Sequence, residues 1–188
     1  MAQEEFKWSK HKIPEGSPVA LQPREAPHGE KFVCARLGDS LVLTAIYNAA
    51  QHRSDRFDEP ERLGRLYVGT SVPVVKKSGL LLPGGLEVAP FKRAPRAIGR
   101  RLLEHAVGLR EYRGPVEATE TTVAIEAREA TMDPAILRVL RNGLDTISEQ
   151  HATISWSGDA PFPVITDDGS QHGTFPLAEQ PRIDARQN

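Results

Sequence analysis

The sequence predicts an α+β fold: a mostly antiparallel sheet with two helices packed on one face, set between extended proline-rich N- and C-terminal arms. Three observations lead there. Two β-rich runs flank a Gly-Asp pair near residue 38, and two later segments repeat their apolar residues at helical spacing. Strict two-residue alternation then returns around Ile154. The resulting order, β-β-(β)-α-β-α-β, suits antiparallel pairing with the helices on one side.

Taken in order, residues 31–37 and 40–47 read as a hairpin whose two-residue turn is Gly38-Asp39, because glycine takes a positive φ there without steric cost. Residues 51–65 read as a charged loop. A β-rich stretch follows at 65–75, and Pro73 makes it an edge strand or two short pieces. Residues 80–85 end in a Pro-Gly-Gly turn. A helix is predicted over 95–108, with Pro95 at its first position, Gly108 at its stop and Ile98, Leu102, Ala106 and Leu109 on one face. Residues 115–128 read as a strand with a break near 119–122. Asp133-Pro134 opens a second helix to about residue 149, burying Ile136, Leu137, Leu140, Leu144 and Ile147. Ala152, Ile154 and Trp156 then face inward from a strand over 151–157.

The proline distribution sets the domain limits. Eight of the fifteen prolines lie in residues 1–28 and 158–188, where they interrupt helices and central strands alike. The two ends therefore read as extended arms around a single domain at 29–157. The 188 residues carry a formal net charge of −1, with 39% hydrophobic and 26% charged side chains. That composition is globular and excludes a strongly basic chain. The single cysteine, Cys34, excludes an intrachain disulfide framework and reads as a small buried hydrophobe within a strand. The first ten residues lack the apolar core of a signal peptide, and no apolar run approaches the length that spans a bilayer. A cytoplasmic location is the expectation.

Several short motifs resemble catalytic signatures. Gly38-Asp39-Ser40-Leu41 resembles the GDSL hydrolases, which implies Ser40 as nucleophile at a strand-to-helix turn and His172 as its base. Here Asp168 and His172 are one residue further apart than in that family's closing block, and its oxyanion asparagine block is missing. Residues 80–85 with 101–109 resemble the outline of a Nudix box. The positions of its acidic cluster are Leu102, His105 and Ala106, however, which offer a hard cation no oxygen ligands. His151-x-Thr153 and His172-x-Thr174 resemble the paired motif of 2H phosphoesterases, at a spacing too short to hold half of such a domain. The simpler reading of these residues is the exposed polar face of a terminal strand. Asp159, Asp167, Asp168 and His172 form a weak metal candidate, since acidic residues among Gly, Ser and Pro are usually turn formers. No set is complete, so neither a metal nor a cofactor is implied.

Residues 92–113 hold seven basic and two acidic side chains, and Arg93, Arg96, Arg100 and Arg101 fall on one side of the predicted helix. The expectation is a non-enzymatic binding or assembly subunit. Its arms would reach onto a protein partner or a second copy, anchored by Phe6 and Trp8 at one end and Phe162 and Phe175 at the other. Arg96 and Arg100 would steer the encounter. The two alternatives are a serine hydrolase using Ser40 and His172, and a phosphate or nucleic-acid binder through the 92–113 helix. No membrane contact is expected.

Overall fold

The computed structural model describes residues 6–25, 29–48, 62–70, 73–75, 81–83, 86–106, 134–156 and 160–178. Twelve strands and two short helices are found among them. The strands are β1 (Val19–Ala20), β2 (Arg24–Glu25), β3 (Lys31–Leu37), β4 (Leu41–Tyr47), β5 (Arg62–Thr70) and β6 (Pro73–Val75). They continue as β7 (Leu81–Pro83), β8 (Leu86–Lys92), β9 (Arg96–Ile98), β10 (Ala152–Ser155), β11 (Val164–Asp167) and β12 (Thr174–Pro176). Helix α1 is Arg100–Ala106, and helix α2 is Pro134–Gly143 with a 3₁₀ turn at Leu144–Thr146.

Antiparallel pairing dominates, as expected, but the strands divide into two main sheets and a ribbon. The larger sheet runs β12-β3-β4-β5-β8, with β2 also on β3; the smaller runs β1-β11-β10-β9; β6 and β7 pair with each other. Residues 62–70 form β5, and β6 starts at Pro73, which pairs with Pro83. Strand β8 is an element that the sequence reading missed. Among the described residues it pairs only with β5, and an edge is where Pro90 can be accommodated.

Alternation along β3 and β4 buries both faces of the larger sheet. Val33, Ala35, Leu37, Leu41, Leu43, Ala45 and Tyr47 enter the main core, which Ile98, Ala152, Ile154 and Ile165 of the smaller sheet also join. Trp156 closes this core, with its ring 4.7 Å from Tyr47 and stacked on Phe91. Leu103 of α1 and Leu140 of α2 are buried in it. The opposite face, Phe32, Cys34 and Val42, is covered by Phe6, with Trp8, Ile46 and Leu177 packed around it.

The helix predicted over 95–108 begins only at Arg100. Residues 96–98 pair with β10, and the Ile98 carbonyl accepts the His151 N–H instead of a helical partner. The first helical bond runs from Leu103 N–H to the Gly99 carbonyl. The basic residues therefore lie on a bend, a strand and a helix start, and form no single helical stripe. The second helix ends at Gly143, and Ile147 has an extended backbone. Leu140, Leu144 and Ile147 are buried as expected. The predicted strand at 115–128 lies outside the described residues, as do most of the loop at 51–65 and the ends 1–5 and 179–188.

The described parts of the two ends are extended and hydrogen-bonded to the rest of this chain. Ser9 N–H donates to the Pro176 carbonyl, Ile13 to Thr174, Gly16 to Asp167 and Leu21 to Pro163, and β1 pairs with β11. On the C-terminal side, β11 sits inside the smaller sheet and β12 lies on β3. Prolines at 14, 18, 161 and 163 stand between these pairings, so short strand pieces alternate with proline and still bury Ile13, Leu21, Ile165 and Phe175.

Candidate functional site

Gly38 adopts a φ of +58°, the left-handed region that favours glycine, and a side chain there would also collide with the Thr146 hydroxyl. The turn holds three residues rather than two, since Leu37 pairs directly with Leu41. Ser40 thus lies in the turn, not in the ladder and not at the start of a helix. Its hydroxyl faces Gly143 so closely that a Cβ at that position would lie 2.7 Å from Ser40 Oγ. Thr146 Oγ1 donates to the Gly143 carbonyl and accepts the Asp39 N–H, fastening the turn to the end of α2.

The loop between β11 and β12 arrives at the same end of the sheet. His172 Nδ1 lies 3.9 Å from Asp39 Oδ1, with both side chains partly exposed. The structure therefore brings one candidate, His172, to the residue preceding the other, Ser40. The loop is organised by Asp167, which the sequence reading placed only in a weak metal cluster. Its carboxylate accepts Gly169 N–H and Ser170 N–H through Oδ1, and the Ser170 and Thr174 hydroxyls through Oδ2. Burial alone would raise the Asp167 carboxyl, but these donors outweigh it and hold the group below its usual value. The signal was an Asp followed by Gly and Ser two and three positions on, the spacing of a side chain that caps its own turn. Asp168 accepts a 2.7 Å bond from Thr153 Oγ1. Among the described residues, no three His, Cys, Asp or Glu side chains gather at a metal-binding separation.

His151 is the residue most misjudged by pattern. The two-residue rule put it on an exposed face; it is fully buried. All four of its hydrogen-bonding groups are engaged. Its N–H donates to the Ile98 carbonyl, and its carbonyl accepts the Asp168 N–H. Ring Nδ1 accepts from Ser148 N–H at 3.2 Å, and Nε2 lies 3.0 Å from the Gly173 carbonyl. A backbone N–H can only donate and a carbonyl can only accept, so the ring is neutral with its proton on Nε2. The Gly173 carbonyl also accepts the Gly38 N–H. His151 thereby joins β9 through its backbone N–H, and the 148 turn and the 168–174 loop through its ring, while the hairpin turn shares the Gly173 acceptor; together they form a polar knot.

The basic candidates part company. Arg100 turns inward, its Nε donating to the Ile147 carbonyl at 2.7 Å. Arg101 reaches Glu149 at 3.8 Å on the surface. Lys92 and Arg96 are exposed and Arg93 is half-buried, with Arg96 on β9, an edge strand among the described residues. The aromatic anchors also divide. Phe6 is buried against Phe32 and Cys34, stacked near Trp8 and lying under the Arg24 guanidinium. Phe175 is buried beneath Arg36. Both rings are enclosed by side chains of this chain. Cys34 is buried, and desolvation pushes its thiol up to about 12, so it is inert as a nucleophile at neutral pH.

Among the described residues no helix is long and apolar enough to cross a membrane. Comparison with protein-family models, with curated proteins and with solved structures finds no match to this chain.

Proposed function

We propose that this chain is a non-enzymatic binding or assembly subunit that meets an acidic protein partner through the basic bend at residues 92–96 and the start of α1. The observation that carries the reading is the exposure of Lys92 and Arg96 beside an edge strand. The chemically versatile groups His151, Asp167 and Cys34 are instead enclosed. Exposed positive charges of this kind accelerate encounter with an acidic surface and lose that effect as salt rises.

The test is the solution mass of the full-length chain in native extract, compared with a Lys92→Glu/Arg96→Glu variant. The wild type should run in an assembly heavier than the isolated chain that dissociates with added salt, and the variant should run alone. Identical elution of the two would refute the proposal. Collapse of the assembly on nuclease treatment would refute the protein partner in favour of nucleic acid.

A second reading, a serine hydrolase, is favoured by the approach of His172 to Asp39 beside Ser40. Ser40 would attack, His172 would take its proton and Asp39 would orient the imidazole.

A further inference from the structure

We propose that His151 is an acid-sensitive latch, whose neutral ring fastens the 168–174 loop and the N-terminal segment to the smaller sheet and whose protonation releases both. Hydrogen-bond polarity fixes the protonation state that the latch needs. In the neutral ring, bare Nδ1 faces the Ser148 N–H and Nε2–H faces the Gly173 carbonyl. A proton added to Nδ1 would set two N–H groups against each other in a fully buried site. The backbone of His151 is itself held by Ile98 and Asp168, so the residue is tied on both sides to its neighbours. The cation's route to water is for the loop to open.

What opens with the loop follows from its contacts. Thr174 and Asp167 carbonyls hold Ile13 and Gly16, and Glu15 bridges to Asp167. Lys12 lies against Gly173 and Glu15 against Gly169. The Gly38 turn is held by the same Gly173 carbonyl as the ring.

The charged groups around the ring set the balance. Asp167 and Asp168 from β11 and its loop favour the cation, and His172 from the same loop opposes it. Asp39 faces His172 from the hairpin turn, and Lys12 and Glu15 face the loop from the N-terminal segment. Asp167 is already saturated by Ser170, Thr174 and Gly169, which leaves it little to offer a new cation. Burial is the largest influence on the ring and lowers its proton affinity; the Gly173 hydrogen bond and the two carboxylates only partly offset it.

The experiment is NMR of the uniformly ¹⁵N-labelled full-length chain from pH 7.5 downward. The ring nitrogens of His151 should report the Nε2–H tautomer at pH 7.5 and stay neutral below 6.5. Amide protection factors of Gly38, Asp168 and Gly173 should fall by up to about tenfold per pH unit below 6.5, as a single-proton linkage allows. Those of the β3–β4 hairpin should hold. In His151→Asn, whose amide oxygen can accept the Ser148 N–H without titrating, the local pH dependence should vanish. A ring that carries its proton on Nδ1, or that titrates at an ordinary value with protection unchanged, would overturn the latch. So would an asparagine variant that keeps the wild-type pH dependence. If that variant does not fold, the wild-type titration alone decides.

Discussion

The polar knot around His151 and the basic bend at residues 92–101 meet in one three-residue strand, β9, yet they treat charge in opposite ways. Ile98 ends the strand inside the knot, its carbonyl taking the His151 N–H. Arg96 begins it in solvent. In the knot, each hydrogen-bonding group of His151 faces a partner, the histidine is buried, and a proton added at Nδ1 would face the Ser148 N–H. On the bend, side chains share the surface with water, and charge costs little to keep or to reverse. Residue type alone therefore does not predict environment; the histidine and aspartate are buried and hydrogen-bonded, and the lysine and arginine are exposed.

The comparison can be broken in several ways, beginning with the largest effect. His151→Ala removes a fully buried ring, opens a cavity and deprives the part-buried Ser148 N–H of its acceptor, so it should cost about 3 kcal/mol in urea unfolding. A loss below about 1 kcal/mol would mean that the knot is not structural.

The pH profile sharpens the same point. His151 has a folded proton affinity below its ordinary value of 6.5, so its unfolded state binds protons more readily. Its contribution to stability is complete above pH 6.5 and is lost as pH falls through the folded value. Asp167 is likewise depressed, from 3.8, so a second loss should follow below that pH. Urea midpoints across pH 8 to 3 should show both stages. In His151→Asn the first should disappear and the second remain.

The smallest effect is expected on the bend. Lys92→Glu and Arg96→Glu should each leave urea stability within about 0.5 kcal/mol of wild type while removing partner assembly. A larger loss of stability would make these residues part of the fold and weaken the interface reading.

How much of this was legible beforehand differs between the two main sheets. The larger is built around a hairpin whose strands are neighbours in sequence, and Gly38 with its flanking β-rich runs announced it. The smaller is assembled from strands of two to four residues drawn from both ends and the middle of the chain. Such pieces are too short to establish a period, and their partners lie far away. Residues 96–98 show the consequence, since Pro95 and the apolar spacing favoured a helix until pairing with β10 overrode it. Pro90 hid β8 in the same fashion. In the candidate site, Ser40 and His172 could be nominated from motifs, and Lys92 and Arg96 from charge. The burial of His151 could not, because it depends on a loop and a turn folding over it from either side. The Thr146–Asp39 bond illustrates the distance involved, joining residues 107 apart.

We propose that the histidines and hydroxyls gathered at this end of the sheet serve to organise the fold. Labelling of the native full-length chain with a fluorophosphonate probe, read by mass spectrometry at Ser40, tests it most directly. The account predicts no adduct at Ser40 under conditions that label a known serine hydrolase to completion. Stoichiometric labelling of Ser40 that is lost in His172→Ala would contradict it and establish the hydrolase.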